Sequence, residues 1–302
     1  MSRGEAARQQ GMVVASFGRN YEVLARDGAA FKCVPRGKKS VYACGDEVDI
    51  EQTSPGQGVI AELHERRNLL WRSDAFREKL IAANLSQIVV VVATEPGFSP
   101  LLVSRCIVAA ETQGIDTLIV LNKCDLTDKL APARDMLSPF ARLGYPVIEL
   151  NALSGVAPLS ERLAGQRSIL VGQSGMGKST ITNALIPEAQ AATAEISTVL
   201  DSGKHTTTFA RAYPFDSGWL IDSPGMQAFG LAHVQPDELL EAFIEFRPHL
   251  GHCRFRDCRH DREPGCALLA AVERGHIDRL RFEHFHTIRS EIESAGRQAR
   301  GW

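Results

Sequence analysis

Ser168-Ile169-Leu170-Val171 runs directly into Gly172-Gln173-Ser174-Gly175-Met176-Gly177-Lys178-Ser179. A short apolar strand feeding G-x-x-x-x-G-K-[ST], with helix-forming residues after it, is the context a phosphate-binding loop needs. Its glycines let the backbone approach closely, and its N–H groups converge on the oxygens of a phosphate. The helix expected over Lys178–Leu185 adds the positive end of its dipole. Lys178 is expected to neutralise β- and γ-phosphate oxygens, and Ser179 to ligate Mg²⁺. Gly172, Gln173, Ser174, Gly175, Met176, Gly177, Lys178, Ser179 and Thr180 together are the expected nucleotide cradle.

Around this loop, strands alternate with helices from about Leu85. Strands are expected at Gln87–Ala93, Thr117–Leu121, Pro146–Leu150 and Trp219–Ile221, and helices at Pro100–Gln113 and Leu130–Leu143. Such alternation predicts a parallel, doubly wound α/β sheet, which binds ligands at the C-terminal ends of its strands. The run Ile88-Val89-Val90-Val91-Val92-Ala93 fits a strand buried on both faces.

The strand ending at Leu121 leads into Asn122-Lys123-Cys124-Asp125, an N-K-x-D motif. A buried Asp125 would accept from the N1–H and exocyclic amine of guanine and reject adenine, whose edge does not match. Lys123 would lie along the base, and Asn122 would tie loops together. Asn151-Ala152-Leu153 reads either as a second base-contacting loop or as a solvated turn. The strand at Trp219–Ile221 ends at Asp222-Ser223-Pro224-Gly225, a D-x-x-G motif. Asp222 would hold Mg²⁺, and the Gly225 N–H would meet the γ-phosphate. All the parts of a GTP site are thus present, but the base-reading motif precedes the phosphate loop, so their order is rotated.

Between the phosphate loop and D-x-x-G lies Asp201-Ser202-Gly203-Lys204-His205-Thr206-Thr207-Thr208. A threonine there, with Thr207 favoured, is expected to ligate Mg²⁺ and sense the γ-phosphate. Met226 occupies the position where many GTPases carry a water-orienting glutamine, so unaided hydrolysis is expected to be slow. His205 is a candidate to orient or deprotonate the water, because histidine titrates near neutral pH; the alternative is an exposed loop histidine.

Residues 1–68 read as all-β, with short apolar runs at Met12–Val14, Tyr21–Leu24, Val41–Ala43, Val48–Ile50 and Gly58–Ile60. Even spacing predicts a small barrel of the OB type, or else a generic β-domain that packs on its neighbour. The expected units are therefore an OB-like barrel over 1–68, a circularly permuted P-loop GTPase domain over 69–231 and a helical, zinc-binding unit over 232–302. The last includes a charged amphipathic helix over Arg274–Ser294.

The 302 residues carry a formal net charge of −2, so any nucleic-acid contact must rest on local patches. Neither a signal peptide nor a membrane-spanning run is recognisable, which makes a cytoplasmic location the expectation. Seven cysteines, an odd number, suit a reduced compartment. Cys253, Cys258 and Cys266 cluster with His260, and Cys₃His fills a tetrahedral Zn²⁺ shell with no open position, so the site is expected to be structural. Residues 247–302 hold 11 Arg against 8 Asp and Glu, and six of the nine His. Arg254, Arg256, Arg259 and Arg262 interleave with the ligands, and Arg36, Lys38 and Lys39 form a second basic loop. Together they suggest RNA as a partner.

The combination resembles the RsgA/YjeQ family of circularly permuted GTPases that depend on the small ribosomal subunit. The resemblance spans nearly the whole chain. It rests on Asn122-Lys123-Cys124-Asp125, Gly172–Thr180, Gly203–Thr208, Asp222–Gly225 and the Cys253/Cys258/His260/Cys266 spacing. It implies an OB-fold N-terminus, bound zinc, GTP hydrolysis to GDP stimulated by the 30S subunit, and a role in late 30S maturation through rRNA binding. Met226 agrees with the family's apolar replacement of glutamine. One departure from the family is the short N-terminal lead, without the long basic extension of some members, so an rRNA contact assigned to such a tail is not expected here. A monomer is the default expectation. Two other readings fit parts of the sequence. One is a GTP-dependent RNA-binding module, whose rate would stay slow on every ribosomal particle. The other is a small-molecule kinase, which N-K-x-D disfavours.

Overall fold

The computed structural model describes residues 8–37, 41–73, 78–187, 189, 210–223 and 230–299. Its larger sheet has a parallel half built from β8 (Gln87–Ala93), β9 (Asp116–Asn122), β10 (Val147–Glu149), β11 (Arg167–Val171) and β13 (Gly218–Asp222). Their order is β10-β9-β8-β11-β13, with β12 (Arg211–Phe215) antiparallel beside β13. From β8 the chain winds outward to β9 and β10, then returns to lay β11 on the other side of β8. The crevice at that reversal is where an open α/β sheet takes its ligand.

The apolar run of β8 is explained by the layers it separates. Ile88, Val90 and Val92 face one core with helices α1 (Pro100–Glu111) and α2 (Leu130–Arg142), while Val89, Val91 and Ala93 face the other with helices α3 (Ala157–Leu163) and α4 (Lys178–Leu185). Each buried Val or Ile contributes about 1.5–3 kcal/mol relative to exposure.

The N-terminal strands β1 (Arg8–Phe17), β2 (Asn20–Ala25), β3 (Ala30–Pro35), β4 (Glu47–Ser54) and β5 (Gln57–Leu63) pair in the order β1-β2-β3-β5-β4, and β4 closes back on β1. Five strands closing on themselves form the OB-type barrel, around Val13, Val23, Phe31, Val48, Ile50 and Ile60. Strand β1 is long enough to serve both units. A bulge between Val13 and Ala15 bends it, and Ala15 then pairs with Arg211 of β12.

Several local expectations are corrected. Val41–Ala43 is not a strand: Tyr42 is buried with its ring edge-on to Tyr21 at 5.2 Å, and the Ala43 N–H is held by Asp46 at 2.7 Å. Strand β3 was not expected, since Lys32 and Pro35 dilute its apolar positions, nor was β12, which contains Pro214. The hairpin of β6 (Leu69–Ser73) and β7 (Glu78–Ala83) was likewise unexpected. The terminal helix spans Arg279–Ala299 rather than Arg274–Ser294. A separate helix, Ala267–Glu273, ends where Gly275 turns at φ 74°. Among the described residues, no helix is long and apolar enough to cross a membrane.

Candidate nucleotide site and metal centre

Three strand ends converge on the crevice. After β11, Gly172 lies so close to β8 that a Cβ there would sit 2.2 Å from the Val91 carbonyl oxygen. Gly177 turns at φ 95°, and a Cβ on it would lie 2.2 Å from the Asn122 side-chain nitrogen. Both positions therefore need glycine for space as well as for conformation. Helix α4 starts at Lys178, the residue after that turn.

Asn122, at the end of β9, is 2% exposed. Its Nδ2 donates to the Met176 carbonyl at 3.0 Å, and its Oδ1 accepts from the Ala152 N–H at 3.0 Å. One side chain thus joins the phosphate loop, the N-K-x-D turn and the Asn151–Leu153 loop. Lys123 sits at φ 59° and reaches across the same junction, its Nζ donating to the carbonyls of Glu95 and Gly175 at 2.8 Å each. Thr94 Oγ1 fixes the turn by donating to the Lys123 carbonyl at 2.9 Å. Asp125 is exposed rather than buried, because it lies on the turn beyond the strand, where the Thr127 N–H bonds its carbonyl at 3.0 Å. Leu153, in the loop that Asn122 holds, is 84% exposed.

At the other wall stand Lys178 and Asp222. Lys178 is buried, and its Nζ donates to the Gly172 and Gln173 carbonyls at 2.9 and 2.8 Å. Burial pushes its pKa below the usual lysine range, and the nearby Asp222 charge opposes that shift. Asp222 ends β13; burial raises its carboxyl to about 6, against the opposing pull of Lys178. Its Oδ1 is buried without a hydrogen-bond partner among the described residues. An unpartnered buried carboxylate oxygen is costly unless a cation is bound, so the donor set fits Mg²⁺. Ser179 is exposed at the start of α4. Ser223 is held by donating to the Leu170 carbonyl at 2.6 Å. Gly203–Thr208, with His205 and Thr207, and Pro224, Gly225 and Met226 lie outside the described residues, as do Lys38 and Lys39.

The ligand atoms of Cys253, Cys258, His260 and Cys266 all lie within 4.8 Å of one another. His260 Nδ1 is 3.5 Å from Cys253 Sγ and 3.4 Å from Cys266 Sγ, and the two sulfurs are 4.0 Å apart. A tetrahedron with metal–sulfur bonds of about 2.3 Å and metal–nitrogen bonds of about 2.0 Å has edges of about 3.5–3.8 Å. The cluster could therefore hold a metal ion. Glu263, unremarked in the sequence, braces the loop by accepting the Arg259, Asp261 and Arg262 N–H groups at 2.9–3.1 Å. Those bonds hold its carboxyl down at about 2.

The arginines of this region divide. Arg281 is fully buried on Glu245 at 2.8 Å, while Arg247 pairs with Glu111 at 2.7 Å and Arg259 with Glu293 at 2.9 Å. No sequence signal separated these from the arginines left to solvent, because pairing across elements is not written in spacing.

A family model described as the RsgA GTPase matches residues 63–232. The small ribosomal subunit biogenesis GTPase RsgA of Burkholderia pseudomallei is 54% identical over 276 residues, covering 89% of this chain and 88% of that protein. Its namesake in Paraburkholderia xenovorans is 54% identical over 287 residues, 91% of each chain. The crystal structure of YjeQ from Thermotoga maritima aligns with a TM-score of 0.73 at 31% identity, covering 95% of this chain and 99% of that one. The structure of YloQ, titled a circularly permuted GTPase, aligns with a TM-score of 0.71 at 25% identity, covering 97% and 98%.

Proposed function

The chain belongs to the RsgA GTPase family, and from that premise we propose that it hydrolyses GTP to GDP and phosphate in the service of small-ribosomal-subunit maturation, with the 30S subunit and its rRNA as partners. The observation that carries the reading is the Asn122 junction, which binds the base-reading turn and the phosphate loop into one rigid unit. A site that holds base and phosphates in fixed relation can reject other nucleotides before chemistry begins.

In this reading the guanine covers Asp125, whose carboxylate accepts its two N–H groups, and the Lys123 stem lies along the ring. Leu153 offers apolar cover nearby. The amides of 172–180 and Lys178 take the phosphate oxygens, where Lys178 exchanges its present carbonyl partners for anionic ones. Asp222, Ser179 and Thr207 would hold Mg²⁺, which when bound neutralises charge on the β- and γ-phosphates. Water attacks the γ-phosphorus as the bond to the bridging oxygen breaks, and GDP leaves. The Gly225 N–H and Lys178 stabilise the charge that develops. With Met226 in place of glutamine, His205 orients the water, and the slow unaided rate leaves room for a partner to accelerate it. The Cys₃His cluster holds structural Zn²⁺. The chain works in the cytoplasm as a monomer.

The test is the rate of GTP hydrolysis by the purified protein alone, with 30S subunits and with 50S subunits. Stimulation by 30S alone is the expected outcome. Equal rates under all three conditions would remove the ribosome from the reading and leave a GTP-binding protein.

A further inference from the structure

Between the ligands Cys253 and Cys258, all of Arg254, Phe255, Arg256 and Asp257 are exposed. Among the described residues, the exposed large apolar side chains include one aromatic, Phe255, at 42% exposure. The tip is anchored at its Cys253 end rather than loose. Cys253 accepts the Ala267 N–H at 3.3 Å, and the Arg254 N–H donates to the Gly265 carbonyl at 3.0 Å. Gly265 packs so near that a Cβ on it would lie 3.0 Å from the Arg254 Cβ.

The Arg254 guanidinium lies over the Phe255 ring, 5.5 Å from its centroid. Arg256 follows on the other side in sequence. Among the described residues neither arginine has an ion-pair partner, in contrast to Arg247, Arg259 and Arg281. Asp257 leaves the tip with a net single positive charge. The tip has no second apolar side chain, so it does not form the apolar core of a protein interface. An aromatic ring with one unpaired guanidinium over it and a second on the next residue of the chain suits an unpaired base flanked by its phosphates.

We propose that Phe255 is a base-stacking residue, taking one unpaired RNA nucleotide on its ring while Arg254 and Arg256 hold the adjoining phosphates. This rests on the reading of RNA as a partner. The metal ligands on either side hold the ring out at fixed height, which removes ordering cost from the contact.

The test compares the full chain with Phe255→Leu, Phe255→Trp and Arg254→Gln/Arg256→Gln. Binding is measured to a labelled single-stranded RNA of about ten nucleotides and to 30S subunits, over a series of salt concentrations. Phe255→Leu is expected to weaken both by about tenfold with the salt slope unchanged, because stacking involves no counterion release. Phe255→Trp should bind within about twofold of the original chain, and the arginine pair should flatten the salt slope by about 2. Unchanged zinc content and basal GTP hydrolysis verify that each variant is folded. Original-chain affinity in Phe255→Leu would overturn the stacking role alone. A loss on 30S subunits with the naked RNA unaffected would assign the ring to a protein partner and also overturn it. Failure of the original chain to bind either RNA or 30S would overturn the RNA reading beneath it.

Discussion

Asp222 is a carboxylate placed where the folded chain suffers for holding it. It is buried, one of its oxygens lacks a partner among the described residues, and its carboxyl titrates at about 6. The sign of the resulting pH dependence follows. Between about pH 4 and 6 the folded chain holds a proton that the unfolded chain releases, so the contribution to stability is full below pH 4 and lost as pH rises through 6. Without nucleotide or Mg²⁺, Asp222→Asn should therefore be the more stable protein above pH 6, by about 1–3 kcal/mol, and no more stable near pH 4. The same variant should lose hydrolysis by at least about a hundredfold. Thermal melts across pH and a rate measurement check both; a variant less stable at pH 8 would show that burial is not what raises the carboxyl. The motif D-x-x-G marked this residue in the sequence. Its missing hydrogen bond could be seen only once the neighbours were in place.

At the scale of elements, the terminal helix Arg279–Ala299 is bolted to the GTPase sheet through α1. Arg281 donates to Glu245 at 2.8 Å and to Ser104 Oγ at 2.8 Å, and lies over the Phe243 ring at 4.3 Å. His284 Nδ1 meets the same Ser104 hydroxyl at 2.7 Å, and burial lowers its pKa to about 4, which keeps it neutral. Breaking such a pair strands a buried charge, whereas replacing both partners does not. Arg281→Met should cost about 3–5 kcal/mol of unfolding free energy, and Arg281→Met with Glu245→Leu should recover most of it. Denaturant titration of the three proteins decides this; equal losses in the single and the double variant would mean the arginine acts through packing alone. Spacing in the sequence placed this helix five residues too early and counted Arg281 among residues fit for phosphate contact. Its partner lies 36 residues away, a separation that carries no local pattern.

Over the whole molecule, the barrel, the sheet and the Cys/His module are linked by continuous structure. Strand β12 has the barrel on one side and β13 on the other: Arg211 is in register with Ala15 and with Asp222, and it pairs with Glu22 at 2.9 Å. Cys253, Cys258 and Cys266 pack against the same apolar cluster as Phe243, Phe285 and the strands β8 and β11. Metal removal is therefore expected to act globally. A chelator with reductant should lower a single cooperative melting transition by about 10 °C or more, instead of melting the C-terminal unit by itself. Calorimetry reads this directly, and two separated transitions would show that the module folds alone.

The sequence by itself determined the family and marked the candidate site. Gly172–Ser179, Asn122–Asp125, Asp222 and the Cys/His spacing are local patterns, because backbone approach to a phosphate and tetrahedral ligation each demand particular residues at short intervals. It also carried the sheet, since β8 must be apolar on both faces to lie between two layers. Tertiary structure alone decided which loops Asn122 joins, through the Met176 carbonyl and the Ala152 N–H, that Arg281 is buried, and that β1 reaches across to β12. Those contacts join residues far apart in the chain, and their strength comes from desolvation and mutual fit, neither of which a linear pattern can record.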